Sequence, residues 1–559
     1  MSNPRSFKKT PNSKEQRTSR RNQTLSISHR GREDLQRKKR RNAVVEHYDP
    51  VEGNDVEKIL QMETVCVKEF IAFFQTEEVH TAMSQETLDQ AFEKALLEKL
   101  VSIRLMLSKE NNPPIRYAFE SGAIDIVYAM LEQAPRFSRE ICRVILWIFT
   151  NVFSEESHEM ILTMLEKYTR VQELIYAFLD LDAWGEPIVE QTLWCLSNII
   201  LDDFEIGEYY ITKTDIVHRI IVEIMRPDLS TDLYKMIAFA SWSLMYHFSD
   251  RMPNEGHNLA LEPLVPLATT LLSQYGHLHT DIVQDAFRCL DRVVKTQKNQ
   301  VLEHYMQYIN LDLIIQHIGT YDIGSSQHTP ISILSAMQCI GGICSHDDPL
   351  YTDIVLDRGF LTAANHICTM IIGQRPMPSE LQRRLFWTIS NITAGTEKQA
   401  MAVFDPSLNI KYSIVYAAQA SRYEVKQEAL YCLTGFISKS NAQETVAFCE
   451  REEFISIVCE GIRVFKNSGN ILAEVLRVVA LFIVHSKQTK SILRNDGLDT
   501  ILQEIHDFPK QHQSIVNACG KILDLLEYVD PAEMEYDAGE DAMSFTRSTQ
   551  AATVEPFSF

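Results

Sequence analysis

Helix-breaking residues are scarce: 20 Gly and 19 Pro in 559 residues leave little room for collagen-like or long disordered tracts. The eleven cysteines are scattered singly, mostly inside apolar helical patterns such as those around Cys142, Cys195, Cys289, Cys432 and Cys519, and no C-x-x-C pair occurs. A zinc site and a disulfide framework are both disfavoured, and buried free thiols in a reducing compartment are expected. Long hydrophobic runs are absent too, Val478–Val484 being typical of the longest, so no bilayer span is expected. The basic N-terminus lacks the apolar segment of a secretory signal. There is no P-loop, no G-x-S-x-G and no convincing pair of carboxylates, which argues against an enzyme and against a cofactor. His346-Asp347-Asp348 offers three adjacent loop residues without a fourth ligand, a poor metal site. An intracellular soluble protein is the expectation.

Charge is present but segregated. Residues 1–41 hold 14 Lys/Arg against 3 Asp/Glu, a local charge of +11, whereas the rest of the chain holds 40 against 72, a charge of −32. A basic arm on an acidic body implies attraction between the two, or separate partners for each. Three zones follow from composition. Residues 1 to about 55 are basic and polar, residues 56 to about 530 read as amphipathic helix throughout, and the acidic, then Ser/Thr-rich tail is expected to be disordered.

The helical zone repeats. Pairs of residues four apart recur as Trp147/Asn151, Trp194/Asn198, Trp242/Tyr246, Arg288/Arg292, Gln338/Gly342, Trp387/Asn391 and Tyr431/Gly435, at steps of 47, 48, 46, 50, 49 and 44 residues. A period in the forties, all helix, fits armadillo or HEAT units that stack and bury a continuous core. Gly122, Gly359 and Gly497 each precede an apolar helical run and suit the tight turns inside a unit.

Residues four apart lie on one helix face, one turn from each other, so Trp and Asn on successive units form a ladder. An Asn amide both donates to and accepts from an extended peptide backbone. Indole rings on neighbouring units make slots for the stems of Lys or Arg, and nearby carboxylates hold their cationic heads. The opposing reading is that the tryptophans are core and the asparagines a structural ladder.

Two segments carry a family resemblance. Leu107-Ser108-Lys109-Glu110-Asn111-Asn112-Pro113-Pro114-Ile115 resembles the opening of the first armadillo repeat of importin-α, and Trp387-Thr388-Ile389-Ser390-Asn391-Ile392-Thr393-Ala394-Gly395 resembles a segment of that family's later repeats. The resemblance covers roughly residues 15–530. It extends to the arm, where Arg20-Arg21, Arg30-x-Arg32 and Lys38-Lys39-Arg40-Arg41 follow the order of an importin-β-binding region. It implies an all-α, right-handed superhelical armadillo solenoid of about ten repeats over 96–530, preceded by a basic arm (1–55) and a linker with a leading helix (56–95), and followed by an acidic tail (531–559). It further implies a nuclear import adaptor moving between cytoplasm and nucleus. Such an adaptor binds basic nuclear localisation signals in its groove, importin-β through the arm, and an export receptor at the last repeats. No direct nucleic-acid or membrane partner is expected.

Carried over residue by residue, the major cargo site is Trp147, Asn151, Ser154, Gln191, Trp194, Asn198, Asp202, Trp242 and Asp285. The minor site is Asp348, Trp387, Asn391 and Glu428. Departures from the family pattern are Glu155 and Met160 beside the lysine pocket, Tyr246 for a third Asn, Gln338/Gly342 and Tyr431/Gly435 in the minor site, and Arg384 where an acid is expected. Bipartite cargo should therefore gain little from the minor site. Lys39-Arg40-Arg41 would fold back into the empty groove as a mimic of cargo, aided by tethering. The competing readings are a catenin-like armadillo scaffold, a divergent paralogue with reduced cargo import, and an arm that is merely solvated or binds nucleic acid. Arg288 and Arg292 face mid-groove without an assigned role.

Overall fold

In a computed structural model the described residues are 56–85, 88–109, 112–248, 260–295, 299–322, 330–420, 422–440, 452–485, 487–508 and 511–527. The arm residues Arg20, Arg21, Arg30, Arg32 and Lys38 to Arg41 lie outside them, as does the acidic tail. The described chain is all helix and turn, with no strand. No helix among the described residues is long and apolar enough to cross a membrane. The described residues fall into two compact units, one ending at Asn310 and the other starting at Leu311.

One series of helices is numbered here α1 (Gln90–Leu107), α2 (Arg139–Val152), α3 (Glu186–Asp202), α4 (Thr231–Met245) and α5 (Thr280–Val294) in the first unit. The second unit holds α6 (Pro330–Cys344), α7 (Ser379–Thr393), α8 (Tyr423–Lys439), α9 (Gly469–His485) and α10 (Gln513–Glu527). Within each unit every helix of this series packs on the next, α1 on α2 through to α5, and α6 on α7 through to α10. Shorter helices form a parallel second series; Leu311–Gly319, Phe360–Ile372, Ile410–Ala420, Glu452–Phe465 and Leu498–His506 pack each on the next. A helix so placed has neighbours before, after and beside it, which is why nearly every residue of α2 from Ile141 onward is buried despite an amphipathic pattern.

Local signals set the boundaries. Ser157, Asp180, Asp203, Ser230 and Thr396 each accept a backbone N–H at a helix start, and Thr396 with Gln399 makes a reciprocal capping box. Gly122, Gly359 and Gly497 stand at φ +86°, +84° and +72°, immediately before the helices that start at Ala123, Phe360 and Leu498. Only glycine takes that backbone shape without a Cβ penalty, so each of the three glycines picked out from sequence stands at the junction between two helices.

Candidate functional site

The ladder residues of the first unit come together on α2, α3, α4 and α5, and their amides brace the stack. Asn151 Nδ2 donates to Ser108 Oγ at 2.7 Å, joining α2 to the end of α1. Asn198 Nδ2 donates to the Thr150 carbonyl at 2.9 Å, and Gln191 Nε2 to Thr150 Oγ1 at 2.6 Å, joining α3 to α2. In the second unit Asn391 Nδ2 donates to the Gly341 carbonyl at 3.2 Å. The last four carbonyls of a helix have no partner within it, and Thr150 and Gly341 belong to the last turns of α2 and α6. Asn198 and Asn391 therefore each cap the preceding helix of the series, whereas Asn151 bonds the hydroxyl of the residue that ends α1.

Tyr246, at the register of the third Asn, does not do this. Its neighbour His247 does: His247 Nε2 bonds the Ile200 carbonyl at 2.7 Å, in the last turn of α3. Gly207 makes room for the ring, since a Cβ there would stand 2.3 Å from His247 Nε2. Sequence reading missed His247 because it lies one position off the repeat register.

Three ladder amides are half satisfied. All three asparagines are fully buried. Asn151 Oδ1, Gln191 Oε1 and Asn391 Oδ1 have no hydrogen-bond partner among the described residues. A buried acceptor left unpaired costs about 1–3 kcal/mol.

The aromatic faces are covered by guanidinium groups. Arg104 and Arg143 lie 4.1 and 5.7 Å from the Trp147 ring centre, Arg288 lies 4.9 Å from Trp242, Arg292 lies 4.2 Å from Tyr246, and Arg384 lies 5.9 Å from Trp387. Trp194 is half-buried, while Trp147 and Trp242 are 8% and 7% exposed. Trp387 is 1% exposed, its ring lying where a Cβ on Gly341 would fall 2.1 Å away.

The carboxylates divide by role. Asp202, at the end of α3, accepts from His158 Nδ1 at 2.8 Å, and the other ring nitrogen of His158 is 3.6 Å from Asp203. Asp285 is 2% exposed and pairs with Arg288 at 3.2 Å. Glu155 turns back on its own loop, accepting from the backbone of Glu156 at 3.0 Å and Ser157 at 3.3 Å. Ser154 Oγ donates to the Asn151 carbonyl at 2.6 Å, and Met160 is buried. In the second unit Asp348 caps the helix Pro349–Asp357 through Leu350 N at 2.9 Å. Glu428 is buried on α8, and Arg384 stands 3.4 Å from Glu380. Gly435 faces Thr393 so closely that a Cβ would lie 2.7 Å from its Oγ1 and 3.2 Å from its backbone carbon. No side chain at the Asn register of α8 fits while α7 and α8 pack this tightly.

No known protein-family profile matches the chain, and no curated protein matches it. Among solved structures, one from work on a conserved phosphorylation switch controlling the interaction between cadherin and beta-catenin aligns over 86% of this chain and 99% of that one, with TM-score 0.56 and 11% identity. At that identity the likeness is one of helical fold alone. Two engineered proteins align at TM-scores 0.38 and 0.39, with 14% and 15% identity, over 47% and 48% of this chain and 96% and 98% of theirs, too slightly to argue from.

Proposed function

We propose that the chain is an armadillo-repeat solenoid of the importin-α kind, a nuclear import adaptor that binds Lys/Arg-rich signal peptides in its groove and reaches importin-β through its basic arm. The observation that carries the reading is Arg288. One guanidinium lies against the Trp242 ring and pairs with Asp285, so an aromatic face and a buried carboxylate of the ladder hold a cation together. That is the chemistry a cargo lysine or arginine requires, performed by an internal residue. The unpaired Oδ1 atoms of Asn151 and Asn391 are acceptors of the kind a peptide main chain uses. The acidic charge after residue 41 adds long-range attraction for basic ligands.

The test is fluorescence anisotropy of a labelled monopartite basic peptide with the full chain, alone and after adding importin-β to draw off the arm. Binding that strengthens with importin-β and falls at least tenfold in Asp202→Lys is the expected result. Absence of binding in both conditions would remove the adaptor reading. An armadillo scaffold is the second reading, prompted by the fold likeness to the structure from cadherin and beta-catenin work. Preference for an acidic over a basic peptide in the same assay would favour it.

A further inference from the structure

At the α4–α5 step the ladder changes character. α5 carries Arg288 and Arg292 at the register where α2 and α3 carry Trp and Asn. They are one turn apart on one face, and each reaches the aromatic residue of α4 at the equivalent place: Arg288 to Trp242, Arg292 to Tyr246. Arg288 also takes the carboxylate of Asp285. Every group that would hold a ligand cation at this step is thus already holding one. Arg292 differs from Arg288 in having no carboxylate within ion-pair distance among the described residues. It is half-buried, resting on Tyr246, which is 40% exposed.

We propose that α5 reverses the charge preference of the groove: Arg288 closes the Trp242 step to ligand cations, and Arg292 receives an acidic side chain. The occupant is an extended peptide with a short basic run at the Trp194 step, beside Asp202, and a single Asp or Glu flanking it at the Tyr246 step. Charge complementarity sets the choice. A third basic residue would meet two fixed cations, whereas a carboxylate meets an arginine that has an aromatic neighbour but no anion. The inference rests on the peptide-binding reading and specifies its ligand.

A charge scan tests it. Labelled peptides share one basic pair, and each flanking position is set in turn to Ala, Glu or Lys. They are titrated into the full chain with Lys38, Lys39, Arg40 and Arg41 replaced by alanine to remove competition from the arm. At one flanking position Glu should bind about threefold to fivefold more tightly than Lys, as expected for one partly exposed ion pair. Arg292→Glu should reverse that order at the same position, and Arg292→Ala should abolish it. Arg288→Ala should raise the affinity of the peptide with Lys at that position. Circular dichroism melts of each variant establish that the helices remain. An order unchanged by Arg292→Glu, or tightest binding by the all-basic peptide, overturns the inference while the basic pair still binds and still depends on Asp202. Failure of every peptide, with no effect of Asp202→Lys, overturns the parent reading as well.

Discussion

Replacing Gly207 by alanine isolates how His247 substitutes for a ladder asparagine. A glycine inside the helix Phe204–Lys213 should gain roughly 0.8–1 kcal/mol of helix propensity on becoming alanine. Here the added Cβ would stand 2.3, 2.4 and 2.5 Å from Nε2, Cε1 and Cδ2 of His247, all ring atoms of one buried side chain. The ring cannot remain, and its bond to the Ile200 carbonyl goes with it. Overpacking costs about 1–3 kcal/mol, and the lost bond about 1 kcal/mol more. The expected net loss is therefore about 1–3 kcal/mol. His247→Ala alone should also destabilise. The double variant should lose less than the sum of the two, because the alanine methyl group occupies space the ring has left. A coupling of about 1–3 kcal/mol in the double-mutant cycle is expected. Urea unfolding by far-ultraviolet circular dichroism gives the free energies, and hydrogen exchange at the Ile200 to Asp203 turn localises the effect. Stabilisation by Gly207→Ala, or strict additivity, would refute the argument.

The other predictions concern the same contacts. Burial, more than any charge nearby, pulls the His247 pKa below its ordinary value, with Arg292 adding to the shift and Asp203 and the Ile200 carbonyl opposing it. Protons then bind the unfolded chain first, so stability is complete above about pH 6.5 and is lost as pH falls through the window down to the folded value. His247→Gln, which keeps a donor but does not titrate, should flatten the slope of melting temperature against pH in that range. Asn198→Ala should cost about 1–3 kcal/mol by orphaning the Thr150 carbonyl, read by denaturant midpoint. Gly435→Asn restores the ladder register of α8 yet should destabilise by about 1–3 kcal/mol, because Thr393 fills the space. Thr393→Ala should recover part of the loss.

The structure gives partners to several residues whose identity was legible but whose contacts were not. The Trp/Asn spacing stood out in sequence, but not that the asparagine Nδ2 atoms donate to the end of the preceding helix of the series. Gly342 and Gly435 read as erosion of an asparagine register. For Gly435 the cause is close approach of α7 and α8 to within a methyl group of each other. Arg288 and Arg292 were unassigned in sequence and lie on aromatic rings of the repeat before them. His158, which holds Asp202, gave no signal at all, since it starts a short helix outside the ladder register.

Whatever depends on neighbours along the chain was determined by the sequence alone. Apolar periodicity set the helices, caps and left-handed glycines set their ends, and the forty-odd-residue spacing set the repeat. These are short-range effects, fixed by backbone sterics and by residues within a turn or two. The tertiary structure decided which atoms of a ladder residue are used and which remain open. Asn198 meets Thr150 across 48 residues, and His247 meets Ile200 across 47. Such bonds depend on the rotation and separation of two packed helices to within an ångström, and no local pattern of residues encodes that.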